Sequence, residues 1–312
     1  MTCFVTRFDV TTTASLLLQA AAAAAGSQQY PTGALYVVAT PIGNLADLSL
    51  RAIHVLSLVD AVGCEDTRHS APLLRHLGLD KPLIALHQHN EREASEAVIA
   101  RLKAGERVAY VSDAGTPAIS DPGAVLVGAV QAAGFITVAI PGASSAIAAL
   151  SVSGDTGGAG FTFTGFLPSK GGERATALQV LSDSPATQVL FEAPHRIEAL
   201  ASSLAQVCGP RKVTLCRELT KQFETVATMP ADALPRWLTV DPNRLRGEFV
   251  VVVHAQATAD AADESAQYDR TLKTLMAELP LKQAVALAAE LTGAPRNALY
   301  ARALSLKQAA ES

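Results

Sequence analysis

Short apolar segments alternate with amphipathic segments along most of the chain. In the first half, five β-branched or apolar stretches predict strands, at 35–39, 61–64, 83–86, 108–112 and 136–140. Helical periodicity separates them, at 50–58, 91–103 and 124–132. Strands that alternate with helices are typical of a parallel sheet with crossover helices. We therefore predict one α/β domain over residues 33–153.

A glycine-rich segment, 154–160, interrupts this pattern because it cannot hold a regular element. Strand patterns dominate after it, with helical periodicity near 174–181 and 196–207. This change of pattern predicts a second α/β domain over residues 154–254, with a mixed sheet.

The two ends of the chain have a different character. The apolar segment 14–26 is short for a membrane span and follows Asp9, so we interpret residues 1–32 as a poorly ordered extension or the product of a start codon assigned too early, with a signal peptide as the alternative. Segment 255–267 consists mainly of small and acidic residues, which is typical of a linker. Periodic apolar positions beyond it predict a helical hairpin over residues 268–312.

Composition and charge narrow the classes of function. The 312 residues carry a formal net charge of -4, so the chain lacks the overall basic field of a protein that coats nucleic acid. The four cysteines form no CxxC pair, which argues against a zinc site or a disulfide framework and favours reduced thiols in a cytoplasmic protein.

Three loops follow predicted parallel strands and should meet at one edge of the first sheet. They span residues 40–45, 112–123 and 141–146. Open α/β domains bind ligands at this edge, so the three loops together predict a binding site. None contains GxGxxG, which disfavours a dinucleotide.

The loops belong to motifs that resemble a known family. TPIGNLADLSLRA, GCEDTRHS, VAYVSDAGTPAISDPG, IPGASSAI, FEAPHR, RELTK and RGEFVVVV resemble, in order and spacing, those of the ribosomal RNA small subunit methyltransferase I family. That family belongs to the tetrapyrrole methylase superfamily. The resemblance implies a two-domain fold, with a parallel-sheet N-terminal domain, a mixed-sheet second domain and a small C-terminal helical extension. It also implies S-adenosylmethionine as cofactor, held between the domains.

Carried over position by position, the resemblance implies a set of cofactor-binding residues. They are Pro41, Gly43, Asp113, Ala114, Gly115, Thr116, Ile119, Ser144, Ser145, Ala146, Phe191 and Glu192. The serine pair departs from the family pattern, so the choice between Ser144 and Ser145 stays open.

Activation of a weakly acidic ribose hydroxyl needs a group that takes its proton. Candidate catalytic residues are Glu65, Asp66, Arg68, His89, Glu192, Glu218 and Lys221. Fold analogy would give Glu65 to a cofactor ribose, whereas the family resemblance places it beside the substrate. His87 and His89 lack a third ligand in the sequence, so we expect no metal.

The resemblance further implies a cytoplasmic homodimer that methylates a cytidine 2′-hydroxyl in the decoding region of 16S rRNA, within the 30S subunit. A local basic patch of Arg51, Arg68, Arg196 and Lys221 would then contact RNA phosphates. Two alternatives remain: a methyltransferase of this fold acting on a tetrapyrrole or protein substrate, and a non-catalytic ligand-binding module.

Overall fold

The computed structural model describes residues 10–87, 90–157, 160–256 and 259–311. Within them, the strands are β1 Ala34–Val38, β2 Ala61–Cys64, β3 Leu83–Ala85, β4 Val108–Val111, β5 Ile136–Ile140, β6 Phe161–Phe166, β7 Thr187–Glu192, β8 Lys212–Arg217, β9 Thr225–Pro230 and β10 Phe249–Val253. The α-helices are α1 Val10–Ala25, α2 Leu50–Leu58, α3 Thr67–His76, α4 Glu91–Lys103, α5 Ala124–Ala132, α6 Ser145–Ser153, α7 Gly171–Asp183, α8 Ile197–Cys208, α9 Leu234–Thr239, α10 Ala259–Glu278, α11 Leu281–Thr292 and α12 Arg296–Glu311.

The first sheet has the order β3-β2-β4-β1-β5, and every neighbouring pair is parallel. Helices cover both faces, so β2 and β4 are buried along their whole length. Apolar residues in neighbouring strands and helices form two cores, one on each face. The parallel sheet predicted from the strand and helix alternation is confirmed.

The second sheet has the order β6-β7-β10-β8-β9, with β6 and β7 parallel and the other pairs antiparallel. One face packs against α7, α8 and α9. The other face packs against Ala146 and Ala149 of α6, the last helix of the first α/β unit. The mixed sheet is confirmed, and α6 joins the two units. The boundary between residues 153 and 154 remains a prediction.

The N-terminal segment differs from the poorly ordered extension that we expected over 1–32. Residues 10–25 form α1, whose Ala21 and Ala25 are buried and whose partly buried Leu17 packs on the core beside α2. Alanine is the strongest helix former, and its small side chain allows close helix packing. Residues 1–9 lie outside the described part of the chain.

The C-terminal segment also differs from the expected linker and hairpin. Helix α10 begins at Ala259, inside the expected linker 255–267, because alanine and glutamate favour helix. Three helices follow one another where two were expected in 268–312. Leu272, Val285 and Leu299 bring α10, α11 and α12 together in one small core.

Candidate active site between the two sheets

The loops after β1 and β4 are joined through their backbones. Thr40 donates its N–H to the carbonyl of Gly115 at 2.9 Å, and Gly115 donates its N–H back to Thr40 at 3.1 Å. The buried Thr40 hydroxyl also donates to the carbonyl of Ser112 at 3.2 Å. These bonds satisfy buried polar groups and hold the two loops together at the carboxyl edge of the first sheet.

The loop after β5 is tied to the same assembly. Thr116 donates its hydroxyl to the carbonyl of Ala143 at 3.1 Å. Helix α6 then starts at Ser145, and Ser144 precedes it without capping it through its side chain. The first-turn N–H groups of a helix have no intrahelical partner and carry partial positive charge. The start of α6 can therefore donate to a ligand.

Backbone strain is concentrated in the loop after β4. Ala118 has φ 65° and Ser120 has φ 91°, conformations that side-chain-bearing residues rarely adopt. The Tyr110 hydroxyl donates to the carbonyl of Pro122 at 2.7 Å, and the Glu91 carboxylate accepts from the N–H of Gly123 at 2.6 Å. Such strain persists where surrounding bonds hold it, and it is common at ligand sites.

Two cavities lie between the loops and the second sheet. One, of about 370 Å³, is mostly apolar and includes Phe166 and Phe191. The other, of about 410 Å³, extends over α3 and is lined by more polar groups. Ile42, Ala114 and Glu248 line both cavities, so the two cavities adjoin and together make up the cleft between the sheets. Each is within the usual size range for a small-molecule site.

The second sheet contributes a carboxylate that is held in place behind the apolar cavity. Glu192 Oε1 accepts the N–H of Ala193 at 3.0 Å and forms an ion pair with Arg196 Nε at 3.0 Å. Its Oε2 is buried and has no partner among the described residues. Arg196 donates to the carbonyl of Leu167 at 2.6 Å, so this ion pair also orders the loop after β6.

A charged trio lies at the contact between the two domains. Lys221 Nζ is 3.0 Å from Glu218 Oε1 and 2.9 Å from Glu248 Oε2. Burial acts to lower the pKa of Lys221, but its hydrogen bonds to both glutamates outweigh burial and raise the pKa overall. Burial likewise acts to raise the pKa of Glu218, but hydrogen bonds from the Glu248 backbone and Lys221 make it lower than usual.

An acidic group occupies the ends of β2 and β4. Asp66 is bound by Arg68, with 2.6 Å between Arg68 Nη2 and Asp66 Oδ2, and this hydrogen bonding lowers the pKa of Asp66 to about 2. Asp113 Oδ2 is 2.8 Å from His69 Nδ1 and raises the pKa of His69. Burial raises the pKa of Glu65, and the charge of Asp113 raises it further.

The same group is the one cluster of potential metal ligands found in the described residues. Donor atoms of Asp66, His69 and Asp113 lie within 4.8 Å of one another. Arg68 binds Asp66 and His69 pairs with Asp113, so these donor atoms already have hydrogen-bond partners in the structure.

The structure brings several of the residues predicted from the sequence to the two cavities. Pro41, Gly43, Asp113 and Lys221 line the polar cavity, and Ser145, Phe191 and Glu192 line the apolar one. Glu65, Asp66 and Arg68 line a separate depression with Asp113.

Other predicted residues lie outside the two cavities or outside the described part of the chain. Ile119 is 47% exposed and lines neither cavity, Ala146 is buried in the α6 core, and His89 lies outside the described residues. Sequence reasoning missed His69 and Glu248. His69 stands within the quoted GCEDTRHS motif and Glu248 within the quoted RGEFVVVV motif, but neither residue was singled out as a candidate.

This architecture, with a parallel sheet, a mixed sheet and a cleft between them, is that of the tetrapyrrole methylases. The chain matches the sequence model of the Tetrapyrrole (Corrin/Porphyrin) Methylases over residues 34–235 and that of the RsmI C-terminal HTH domain over residues 262–307. It belongs to the tetrapyrrole methylase family and, within it, to the ribosomal RNA small subunit methyltransferase I family. The protein is therefore a methyltransferase.

Relatives support this placement over most of the chain. A Ribosomal RNA small subunit methyltransferase I from Pseudomonas aeruginosa is 49% identical over 274 residues, which cover 87% of this chain and 97% of that protein. The protein of the same name from Escherichia coli O157:H7 is 46% identical, with 87% and 95% covered.

Solved structures show the same fold at low sequence identity. Diphthine synthase superposes with a TM-score of 0.55 at 16% identity, covering 74% of this chain and 93% of that one. The cobalt precorrin-4 methyltransferase CbiF gives a TM-score of 0.54 at 16% identity, covering 73% and 98%. Among the described residues, no helix has the length and apolar character needed to cross a membrane.

Proposed function

We propose that the protein transfers a methyl group from S-adenosylmethionine to the 2′-hydroxyl of a cytidine in the decoding region of 16S rRNA. The observation that carries this proposal is the cleft, in which an apolar cavity and a polar cavity adjoin and share Ile42, Ala114 and Glu248. A donor in one part of the cleft and an acceptor in the other would meet at these three residues. Alignment of two reactants in this way supplies much of the catalysis of a displacement reaction.

The residues present fit such a donor. Phe166 and Phe191 offer aromatic surface for a planar base, with their ring centroids 5.7 Å apart. The uncapped start of α6 offers N–H donors beside the same cavity through Ser145. When bound, S-adenosylmethionine supplies an electrophilic methyl group on a positively charged sulfur.

The proposed cofactor-binding residues come from four segments that converge on this cleft. They are Pro41 and Gly43, Asp113 to Thr116 with Ile119, Ser144 to Ala146, and Phe191 with Glu192. Glu192 would act mainly by holding its own segment, since its side chain is fully buried.

The proposed acceptor side uses the rim of the polar cavity, beside the Pro41, Gly43 and Asp113 lining that is proposed for the donor. The catalytic candidates Glu65, Asp66, Arg68, His89, Glu218 and Lys221 are proposed to bind, orient or deprotonate the acceptor. Arg68 is 87% exposed and is thus available to a phosphate despite its ion pair with Asp66. Arg51 and Arg196 are the other members of the proposed basic patch, although Arg196 is paired with Glu192 and Lys221 with two glutamates.

The biological setting is proposed from the relatives, whose printed name specifies ribosomal RNA of the small subunit. We expect a cytoplasmic homodimer that acts on 16S rRNA within the 30S subunit, without a metal. The three C-terminal helices, which match the HTH domain model, would add to the RNA contact.

Transfer of labelled methyl from S-adenosylmethionine to 30S subunits, taken from a strain that lacks this protein, tests the proposal. We expect label on the 2′-oxygen of one cytidine, located by nuclease digestion and mass spectrometry. Label on a base, or on a tetrapyrrole or protein acceptor and not on RNA, would overturn the assignment. Cofactor binding without transfer to any acceptor would favour a non-catalytic module.

A further inference from the structure

The charged trio of Glu218, Lys221 and Glu248 stands where the two cavities join. Lys221 lines the polar cavity, and Glu248 lines both cavities. In the described part of the chain, Glu248 is the one carboxylate that does so. A group that must act on an acceptor oxygen while the methyl carbon approaches has to be at this junction.

The local fold holds this trio in one arrangement. Glu218 adopts φ 53°, donates its N–H to the Glu248 carbonyl at 3.0 Å, and accepts the Glu248 N–H on Oε1 at 2.9 Å. Gly247 has φ 92°, and a Cβ there would lie 2.5 Å from Glu218 Cγ. The backbone at Gly247 therefore admits only glycine without displacing Glu218.

The two glutamates differ in what they can reach. The Glu218 side chain is 19% exposed, and its Oε1 is shared between Lys221 and a backbone N–H. The Glu248 side chain is 79% exposed, and its partner in the structure is Lys221. Glu218 is thus built to hold the lysine, whereas Glu248 has a carboxylate that an incoming hydroxyl can contact.

Other carboxylates lie away from the junction of the two cavities or are already bound: Asp121 lines the apolar cavity alone, and Glu65 lines the separate depression. Glu192 is fully buried against Arg196, and Asp66 is bound by Arg68. Asp113 accepts the N–H of Asp66 at 3.1 Å and pairs with His69.

We propose that Glu248 accepts the proton of the acceptor hydroxyl and that Lys221 stabilises the negative charge that develops on that oxygen, with Glu218 as a positioning residue. This inference rests on the proposed function. As the O–H bond breaks, its proton passes to a Glu248 carboxylate oxygen. The hydroxyl oxygen forms a bond to the methyl carbon, and the carbon–sulfur bond breaks with its electron pair left on sulfur. The sulfonium becomes a neutral thioether, and Glu248 later releases the proton to water.

Glu248→Gln tests the proposal because it keeps the shape of the side chain and removes its basicity. General base catalysis contributes roughly 10²- to 10⁴-fold, so the single-turnover rate of methyl transfer to 30S subunits should fall by about 100-fold or more. Calorimetric affinity for S-adenosylhomocysteine should change little. Glu106→Gln is the matched control, since Glu106 pairs with Arg101 at 2.7 Å on the surface away from the cleft. It should keep the full rate.

Glu248→Ala allows a second measurement, rescue by formate, which would have no effect if Glu248 had only a structural role. High concentrations of formate should restore part of its rate, because a small carboxylate can occupy the vacated space and take the proton. Lys221→Met should lose rate more severely than Lys221→Arg, which keeps the charge.

A wild-type rate in Glu248→Gln would overturn this inference, as would a slow Glu248→Ala variant that formate leaves unchanged. A loss of cofactor affinity equal to the loss of rate would also contradict it. Failure of the proposed function itself looks different: the unmodified protein would then transfer no methyl group to the subunits, whatever residue stands at 248.

Discussion

Substitution of Gly43 by alanine probes the contact through which the first domain meets the charged trio. Gly43 has φ 147°, and a Cβ on it would lie 2.5 Å from Cγ and 2.7 Å from Cε of Lys221. Both contacts are too short to persist, so the lysine side chain must move away from Glu218 and Glu248. The variant therefore combines backbone strain with the loss of two ion pairs.

The loss of stability in Gly43→Ala is the sum of the backbone strain and the lost ion pairs. A side-chain-bearing residue in this backbone region costs about 1–3 kcal/mol. Two ion pairs of this exposure add up to about 1 kcal/mol each. We expect Gly43→Ala to lower the free energy of unfolding by roughly 2–4 kcal/mol, and each kcal/mol lowers Tm by about 2–4 °C in a chain of this order of size.

Gly105→Ala is the control for the backbone contribution. Gly105 has φ 84°, and a Cβ there would meet nothing within 4 Å. Thermal unfolding and methyl transfer should be measured on both variants. We expect a modest Tm loss with full activity for Gly105→Ala, and a larger Tm loss with little activity for Gly43→Ala. If the two variants lost the same stability and both kept activity, the contact between Gly43 and Lys221 would not matter as argued.

Three further outcomes are expected. Asp113→Asn should weaken calorimetric binding of S-adenosylhomocysteine by roughly 10- to 100-fold, the worth of one charge-assisted hydrogen bond, and unchanged affinity would remove Asp113 from the cofactor site. The Asp66 carboxyl should titrate by NMR with a pKa of about 2. The stabilisation from its ion pair with Arg68 is therefore fully present above pH 3.8 and is lost as the pH falls towards 2. Arg68→Met should shift the pKa of Asp66 back towards 3.8. Ala21→Asp places a charge in the α1 interface and should cost roughly 3 kcal/mol or more, whereas Ala22→Asp on the exposed face should cost only about 1 kcal/mol, from lower helix propensity and the helix dipole.

The sequence predicted the sheets better than the contacts between them. Alternating apolar strands and periodic helices are local patterns, and the structure follows them closely in the first sheet. The pairing of Lys221 with Glu248 joins residues 27 positions apart and depends on the antiparallel register of β8 and β10, which sets Phe249 opposite Arg217. Register of this kind is not visible in composition or spacing, which is why Glu248 was missed.

The N-terminal segment failed as a prediction for a related reason. Residues 14–25 are mostly alanine and leucine, and such a stretch is compatible with an extension, a leader or a packed helix. Such a stretch becomes a packed helix only if the rest of the protein offers an apolar surface that fits it. The core beside α2 supplies one, and the hydroxyl of Tyr30 donates to the carbonyl of Ala25 at 3.1 Å where the helix ends.

The reciprocal backbone bonds between Thr40 and Gly115 bear on how reactants enter. Because each loop holds the other, neither can swing outward alone to admit a bulky molecule. We expect the two loops to keep their relative positions when reactants enter and leave, so that they act as a single fixed side of the cleft.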